Sequence, residues 1–466
     1  MRSGLKRGLS AFCAVAICAG ILAGCANGNN EKKEPASVST ESSATAKKEF
    51  ENKELNAAIF QGAYGKDFWE ALAKEFMAKY PGTNIKITAN PKIGDMMKPQ
   101  IAAGNPPDFI YLNQGDQSGL TQSLINDHQL TDLTDVFESE ALDKDTKIKD
   151  EIIPGILESS FCKPYKDGKI YLAPYNYAVE GLWYNKAYFD KKGYTPPKTW
   201  DEFFAMNKKA KTDGRALFTY QGIYPSYLEE ILIPALYSAG GDKAVNEFAN
   251  YTLDWKSEPA TKTLEVFEKL SKDNLLMKGT IALNHTQAQT AFLQGKAMFI
   301  PNGSWFENEM KDAPREDGFE YGFAGVPAFK KGDPVCALAS IEQMYIPSKA
   351  KNPELAKEFL KFVYTDKGVE LNGQKAKAVL CVKGATERVK NYITKSAYNC
   401  YSVAEKDVHL VVAGLTPIAK GSTINVSDEI YKPISDVMNG QLSVSNWSDN
   451  LNKTYEQIRQ ELKEQE

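Results

Sequence analysis

The first candidate residues are carboxylates, because a pair of them could catalyse a reaction. Glu180, Asp116, Glu307 and Glu342 are spread along the sequence. Two of them could act as general acid and as nucleophile or base in the hydrolysis of a glycosidic bond. Such a pair needs a set separation and shifted pKa values, and the sequence gives neither. Glycoside hydrolysis is therefore one interpretation that the sequence leaves open.

Other catalytic and metal-binding patterns are absent from the sequence. It contains no P-loop, no H-E-x-x-H and no G-x-S-x-G motif. The three histidines, His128, His285 and His409, lie too far apart in sequence to suggest a shared metal ion. We therefore expect no metal site and no cofactor.

One tryptophan stands out by its position. In FIPNGSWFENEM, residues 299–310, an apolar run ends at Pro301 and the chain turns before Trp305. Ser304 and Glu307 have the S-x-x-E spacing of a capping box, which predicts a helix start with Trp305 in its first turn. This ring either faces a cleft or covers the helix against its own lobe.

Strand and helix patterns alternate along the chain and would position these residues. Strand patterns occur at 55–60, 84–88, 105–113, 168–185 and 296–300, and helix patterns begin near 67, 199 and 304. This order predicts an α/β fold with helices on both sheet faces. Ligands of such sheets bind at strand ends, here in loops 61–65, 113–118 and 302–305.

The N-terminal residues have the pattern of a bacterial lipoprotein signal. A basic segment precedes an uncharged apolar run from about Leu9 to Leu22, which is too short to span a membrane. Leu22-Ala23-Gly24-Cys25 resembles a lipobox, although an ordinary cleavage site is the alternative. We predict a signal peptide at 1–24, lipidation of Cys25, and a flexible tether that completes the segment 25–53. The protein would then lie outside the cytoplasm, held to the membrane by the lipid alone.

Composition narrows the classes of partner. The formal net charge is −4, and loss of the three basic residues of the signal would make it −7. A nucleic-acid partner is not expected without a basic face. Four cysteines of the mature chain could pair outside the cell or be small buried residues: Cys162, Cys336, Cys381 and Cys400.

Four segments carry a resemblance to a known family. KIYLAPYNYAVEGLWYNKAYFDKKGYTPPKTWDEF (169–203), GNPPDFIYL (104–112), AMFIPNGSW (297–305) and KNPELAKEFLKFVYTDKG (351–368) resemble, in order, motifs of the maltose-binding-protein family. The resemblance covers roughly residues 54–465. It implies a two-lobe periplasmic-binding-protein fold with a hinge and a ligand cleft, and a monomeric sugar receptor of an ABC transporter without enzymatic activity.

A narrower resemblance concerns the sugar and the lobes. LFTYQGIYPSYL (217–228), LNHTQAQTAFLQGKAMFIP (283–301) and NGSWFENEM (302–310) are similar to binding proteins for N-acetylglucosamine and diacetylchitobiose. The partners would be such a sugar and the permease subunits. The implied lobes are 54–176 with 326–382, and 177–325 with 383–466.

The family resemblance also implies site residues. Trp305 matches a tryptophan that stacks on sugar, and Glu180 matches a carboxylate that accepts hydrogen bonds from sugar hydroxyls, with a hinge salt bridge as the alternative. The other implied contacts are Tyr64, Asn113, Asp116, Tyr177, Tyr224 and Tyr227. Where the family has a first-lobe tryptophan, this chain has Leu112 to Gln114, which argues against a maltodextrin. A peptide receptor on the same fold stays an alternative.

Overall fold

Strands of one hydrogen-bonded mixed sheet form the centre of the computed structural model, which describes residues 49–465 except 63, 114, 115, 117 and 166. The strands are β1 Glu54–Phe60, β2 Asn84–Asn90, β3 Phe109–Leu112, β4 Ala173–Asn185, β5 Ala216–Phe218, β6 Ala297–Gly303, β7 Tyr321–Phe323, β8 Val335–Tyr345, β9 Val379–Leu380 and β10 Val408–Val411. Their order is β2-β1-β3-β8-β4-β6-β5, and β7, β9 and β10 pair at the sides of β4 and β8.

Helices pack around this sheet. They are α1 Asp67–Lys79, α2 Ile93–Ala102, α3 Leu120–Asn126, α4 Thr134–Glu138, α5 Ile148–Glu151, α6 Lys186–Lys192, α7 Trp200–Ala205, α8 Asn207–Thr212, α9 Glu229–Ala249, α10 Glu258–Lys272, α11 His285–Leu293, α12 Phe306–Glu309, α13 Pro353–Val363, α14 Asp366–Leu371, α15 Ala385–Val389, α16 Lys395–Lys406, α17 Val426–Met438 and α18 Val444–Lys463. Short 3₁₀ turns lie at Pro225–Leu228 and Thr280–Ala282. The predicted α/β architecture agrees with this arrangement.

Local sequence signals account for several of these elements. Phe68, Leu72 and Phe76 recur every four residues on α1 and are completely buried, which fixes the inward face of that helix. The predicted helix start near residue 199 is observed, and Thr199 caps α7 there, because its hydroxyl accepts a hydrogen bond from the backbone N–H of Glu202. Parallel pairing of β1 with β2 and β3 follows from the intervening helices, which return the chain to the same edge.

Two long antiparallel strands, β4 and β8, connect the two sides of the sheet. The first part of β4, from Ala173, pairs with the end of β8 near Met344, next to β3. The second part, from Glu180, pairs with β6 and β7. Glu180 itself lies opposite both Gly303 and Leu338, at the point where the pairing changes from one side to the other.

The hydrophobic core of the described residues falls into two large clusters and a smaller third one. One large cluster contains α1, the start of β4 and α13, and it extends to Trp183 and Phe306. A second contains α9, α10, α17 and α18. The first cluster takes in residues from both sides of the sheet, and the lobe boundaries given above stay a prediction.

The predicted capping box at Ser304 and Glu307 is wrong. The helix at this point is one turn long and begins at Phe306, and no side chain caps it. The Ser304 hydroxyl instead donates to Tyr401 Oη, and the Glu307 carboxylate accepts from the backbone N–H of Ser396. Both side chains of the expected capping box therefore form hydrogen bonds with residues that are distant in sequence.

Other expectations concern the cysteines and the termini. Cys162, Cys336, Cys381 and Cys400 are buried free thiols, in keeping with small core residues. Within the described residues no helix combines the length and apolar character that a membrane span needs. The predicted signal peptide, the lipidated Cys25 and the tether up to residue 48 lie outside the described residues.

Candidate ligand-binding cleft

A cavity of about 540 Å³ opens beside the carboxyl end of β6. Trp305 is half-buried and lines it together with Tyr64, Tyr401 and Glu309. Lys311 and Lys377 also line it, and both are exposed. The cavity thus combines flat aromatic faces with charged groups, a composition suited to a ligand with apolar faces and a polar rim.

Gly303 determines how close the Trp305 ring can lie to the strand. A Cβ placed at residue 303 would be 2.2 Å from Cζ3 of the Trp305 indole and 2.3 Å from Cη2. Real side chains do not approach so closely, so the indole occupies this position only because residue 303 has no side chain. Asn302 and Gly303 are the last residues of β6, so the chain turns only after them, and Gly303 serves to place the ring.

Hydrogen bonds fix the backbone on either side of Trp305. The Ser304 N–H donates to the carbonyl of Val179 at 2.9 Å, which continues the pairing of β6 with β4. The Ser304 hydroxyl donates to Tyr401 Oη at 3.0 Å, and Tyr401 in turn donates to the carbonyl of Tyr177 at 2.6 Å. A rigid frame thus holds the indole at the cavity wall.

Glu180 lies near the cavity, on the strand that joins the two sides of the sheet. Its side chain is only 6 % exposed, and the Ser340 hydroxyl donates to it. Burial raises its pKa to about 8, and the charge of Glu229 adds to this effect. Burial raises the pKa values of Tyr64 and Tyr401, which line the cavity, and the charge of Glu180 makes a small further contribution. Among the described residues, Glu180 forms no salt bridge. The alternative role of Glu180, a salt bridge at the hinge, therefore lacks a basic partner.

Two further glutamates begin α9 next to Glu180. Burial raises the pKa of Glu229 to about 7, although a hydrogen bond with Tyr431 opposes the shift. Glu230 is 3 % exposed, and burial followed by the charges of Glu180, Glu229 and Glu309 raises its pKa well above the usual value. These carboxyls therefore hold protons more readily than exposed ones.

Tyr224 and Tyr227 lie beside this acidic group. The Tyr224 ring is exposed and its centre is 5.6 Å from that of His285. Burial, followed by the charges of Glu309 and Glu230, raises the pKa of Tyr227. Both predicted contacts are therefore brought near Glu309, a residue of the cavity wall.

Tyr64 connects the cavity to a buried group of tyrosines and one more glutamate. Tyr64 packs edge-on against Tyr175 at 6.5 Å between ring centres, and Tyr175 packs edge-on against Tyr111. Tyr111 Oη donates to Glu342 at 3.2 Å, and burial raises the pKa of Glu342 to about 7. Glu342, which was only one of several carboxylates in the sequence, thus belongs to the same region as Tyr64.

The remaining predicted contacts are distributed differently. Asp116 accepts a hydrogen bond from Ser118 and lines a separate cavity of about 300 Å³ with Gln343. Asn113 is half-buried at the end of β3, and Gln114 lies outside the described residues. Tyr177 is completely buried and packs edge-on against Tyr401 at 4.9 Å, a position that favours a structural role.

Three residues of the site had no recognisable signal in the sequence. Tyr401 belongs to a helix almost a hundred residues after Trp305, so only the folded chain brings them together. Glu230 has the position of an ordinary exposed acid in the first turn of a helix, yet it is buried. Gln289 lies on α11 and donates to Glu309 at 2.9 Å. Its polar side chain is completely buried, which the sequence did not indicate.

The fold and the cleft define a class of protein, the two-lobe receptors that enclose a small solute between strand ends. In the described part of the chain, no group of three or more His, Cys, Asp or Glu side chains could hold a metal ion. Residues 62–370 match the family of bacterial extracellular solute-binding proteins, and the chain belongs to this family. The family resemblance predicted from the sequence is confirmed, and an extracellular family agrees with the predicted location outside the cytoplasm.

Relatives with known names support the same assignment. The chain is 31 % identical over 341 residues to the diacetylchitobiose binding protein NgcE of Streptomyces coelicolor, covering 72 % of this chain and 70 % of that one. It is 24 % identical over 363 residues to a multiple sugar-binding protein of Streptococcus mutans, covering 76 % and 79 %. Both relatives are binding proteins by name.

The structural match concerns the fold. Apo RafE of Streptococcus pneumoniae superposes with a TM-score of 0.68 at 18 % identity, covering 87 % of this chain and 97 % of RafE. A chitin oligosaccharide binding protein superposes with a TM-score of 0.61 at 18 % identity, covering 87 % and 100 %. The predicted two-lobe α/β fold is confirmed by these matches.

Proposed function

We propose that this protein is the lipid-anchored substrate-binding component of an ABC sugar importer. It captures N-acetylglucosamine or a diacetylchitobiose-type sugar outside the cell and delivers it to permease subunits in the membrane. It acts as a binding protein and not as an enzyme. Another disaccharide or oligosaccharide bound on the same fold is the alternative.

The observation that carries this proposal is the Trp305 indole at the cavity wall. Gly303 lets the ring lie against the strand, and Tyr64 and Tyr401 line the same cavity. Sugar rings present apolar C–H faces to such platforms, and carboxylates such as Glu309 accept hydrogen bonds from the hydroxyl rim. The similarity to NgcE supports the choice of a chitin-derived sugar.

A calorimetric titration with five sugars tests the proposal. Glucosamine, N-acetylglucosamine, diacetylchitobiose, cellobiose and maltose should be titrated into the mature protein. We expect diacetylchitobiose or N-acetylglucosamine to bind at least about tenfold more tightly than maltose and cellobiose, a difference of about 1.4 kcal/mol. Tighter binding of maltose or cellobiose would overturn the assignment of the sugar. Binding of none of the five would overturn the assignment of a chitin-derived sugar and favour the alternative, another oligosaccharide.

A further inference from the structure

Trp305 and Glu309 lie at the two ends of the one-turn helix α12. The backbone N–H of Glu309 donates to the carbonyl of Trp305 at 3.0 Å, so the two residues are one helical turn apart and their side chains share a face. Both line the cavity of about 540 Å³. A sugar stacked on the indole would therefore have the Glu309 carboxylate beside its rim of hydroxyls.

A buried glutamine holds this carboxylate. Gln289 on α11 donates from Nε2 to Oε2 of Glu309 at 2.9 Å, and Gln289 is completely buried. Helix α11 is anchored by Phe292, whose ring packs against Phe306 of α12 at 5.8 Å between ring centres. Because Gln289 has no exposed surface, it can act on a ligand only through Glu309.

The two oxygens of the Glu309 carboxylate have different surroundings. Oε2 accepts a hydrogen bond from Gln289, whereas Oε1 accepts none from a described group. The described basic group at salt-bridge distance is His285, whose Nε2 lies 3.8 Å from Oε1, beyond hydrogen-bond distance. The Glu309 side chain is 32 % exposed. Oε1 is therefore the oxygen with the capacity to accept a hydrogen bond from a sugar hydroxyl.

The Gln289 amide forms its hydrogen bond in a setting that is unfavourable for stability. Its own Oε1 is buried and accepts no hydrogen bond from any described group. Turning the amide would not remove this defect, because the NH₂ group must face the carboxylate. An apolar side chain such as methionine would fill the position without an unpaired acceptor. An unfavourable polar side chain that holds a residue of the cavity wall indicates a functional role.

We propose that Gln289 is a positioning residue that turns the Glu309 carboxylate so that its Oε1 accepts a hydrogen bond from a hydroxyl of the sugar stacked on Trp305. This inference rests on the proposed function and refines the geometry of the same site. A neutral amide suits this role, because it orients the carboxylate and leaves the negative charge uncompensated. A charged acceptor forms stronger hydrogen bonds than a neutral one. A lysine or arginine at residue 289 would instead form an ion pair and compete with the sugar.

Calorimetric titration of diacetylchitobiose into the variant Gln289→Met tests the inference. Methionine has a similar length and no amide. We expect binding to weaken about fivefold to tenfold, because Glu309 is no longer held and its hydrogen bond to the sugar is lost in part. The thermal midpoint of unfolding should be unchanged or higher, because the unpaired buried oxygen is removed.

The variant Glu309→Ala and the double variant show whether Gln289 acts through Glu309. Glu309→Ala should weaken binding about tenfold or more, because it removes a charged acceptor. In that background Gln289→Met should change the affinity by less than about twofold. The matched control is Gln457→Met on α18, where an exposed amide donates to the carboxylate of Glu461 at the same 2.9 Å. It should leave the affinity unchanged.

Four results would overturn the inference while leaving the proposed function in place. In two of them, the single variant Gln289→Met or the single variant Glu309→Ala binds the sugar as tightly as the wild type. In the third, Gln289→Met weakens binding equally with Glu309 present and with Glu309 replaced by Ala. In the fourth, Gln289→Met melts far lower or does not fold, which would assign the amide to stability. A wild type that does not bind diacetylchitobiose would overturn the inference together with the proposed sugar.

Discussion

The Trp305 indole lies directly over Gly303, at a separation that a side chain at residue 303 would abolish, since its Cβ would be 2.2 Å from Cζ3. The backbone beneath is fixed by pairing with β4, so a clash must be relieved by movement of the ring. A substitution at residue 303 can therefore change the position of the Trp305 ring while the ring itself is kept.

Gly303→Ala should displace the indole without removing it. The atoms that would clash belong to the six-membered ring of the Trp305 indole, which can move. The thermal midpoint of unfolding should therefore change little. Loss of oriented stacking, on the order of 1 kcal/mol, should weaken sugar binding about fivefold. Calorimetry on a double-mutant cycle gives the control, because Gly303→Ala should have no effect when Trp305 is already Ala. An equal effect in both backgrounds would contradict this account of the ring.

Trp305→Ala should weaken sugar binding by roughly a hundredfold, about 3 kcal/mol from lost burial and lost stacking. Folding should suffer less, because the ring is only half-buried at a cavity. Trp183→Ala is the matched control, since that ring is completely buried and should cost about 3–5 kcal/mol of unfolding free energy. A Trp305→Ala protein that melts far lower yet binds normally per folded molecule would make Trp305 a core residue.

Stability should fall as the pH rises from about 4.5 towards 8. Glu180, with a folded pKa of about 8, and Glu229 and Glu342, with values of about 7, hold protons that the unfolded chain releases near 4.5. The folded state therefore binds more protons in this window, and each group costs up to about 1.4 kcal/mol per pH unit. The measurement is the unfolding free energy in denaturant at several pH values.

Glu180→Gln should remove part of this dependence. Its stability should match that of the wild type near pH 5 and exceed it near pH 8, where the wild type must bury a charge. The exposed Asp317→Asn should leave the pH profile unchanged. Parallel pH profiles for Glu180→Gln and the wild type would show that Glu180 is ionised in the folded state throughout.

Cys25→Ala should release the protein from the membrane. The predicted lipid on Cys25 would be the sole anchor, and one residue change would remove it. Fractionation of cells that express each form, followed by immunoblotting, measures the distribution. A variant that stays in the membrane fraction like the wild type would refute the anchor.

Sequence patterns predicted the strands and helices that follow from local periodicity, such as α1, and the position of Trp305 at a strand end. They failed where distant residues compete for a polar group. Ser304 and Glu307 have ideal capping spacing, yet Tyr401 and the start of α16 bind their side chains. Spacing along the chain cannot reveal such partners.

The burial of Glu230 could not be predicted from the sequence either. Two adjacent glutamates at a helix start are typical of a solvent-exposed first turn, where they interact with the helix dipole. Glu230 is buried only because α9 packs against β8 and β4. Tyr177 is the opposite case. The sequence predicts that it contacts the ligand, but its side chain lies in the core.

Recovery of the bound sugar tests the central claim most directly. The mature protein should be incubated with diacetylchitobiose, separated from free sugar and denatured, and the released sugar analysed by chromatography. The account predicts one intact disaccharide per folded protein, unchanged after prolonged incubation. Absence of bound disaccharide would contradict diacetylchitobiose as the ligand, and release of monomer would contradict a receptor that binds its sugar without hydrolysing it.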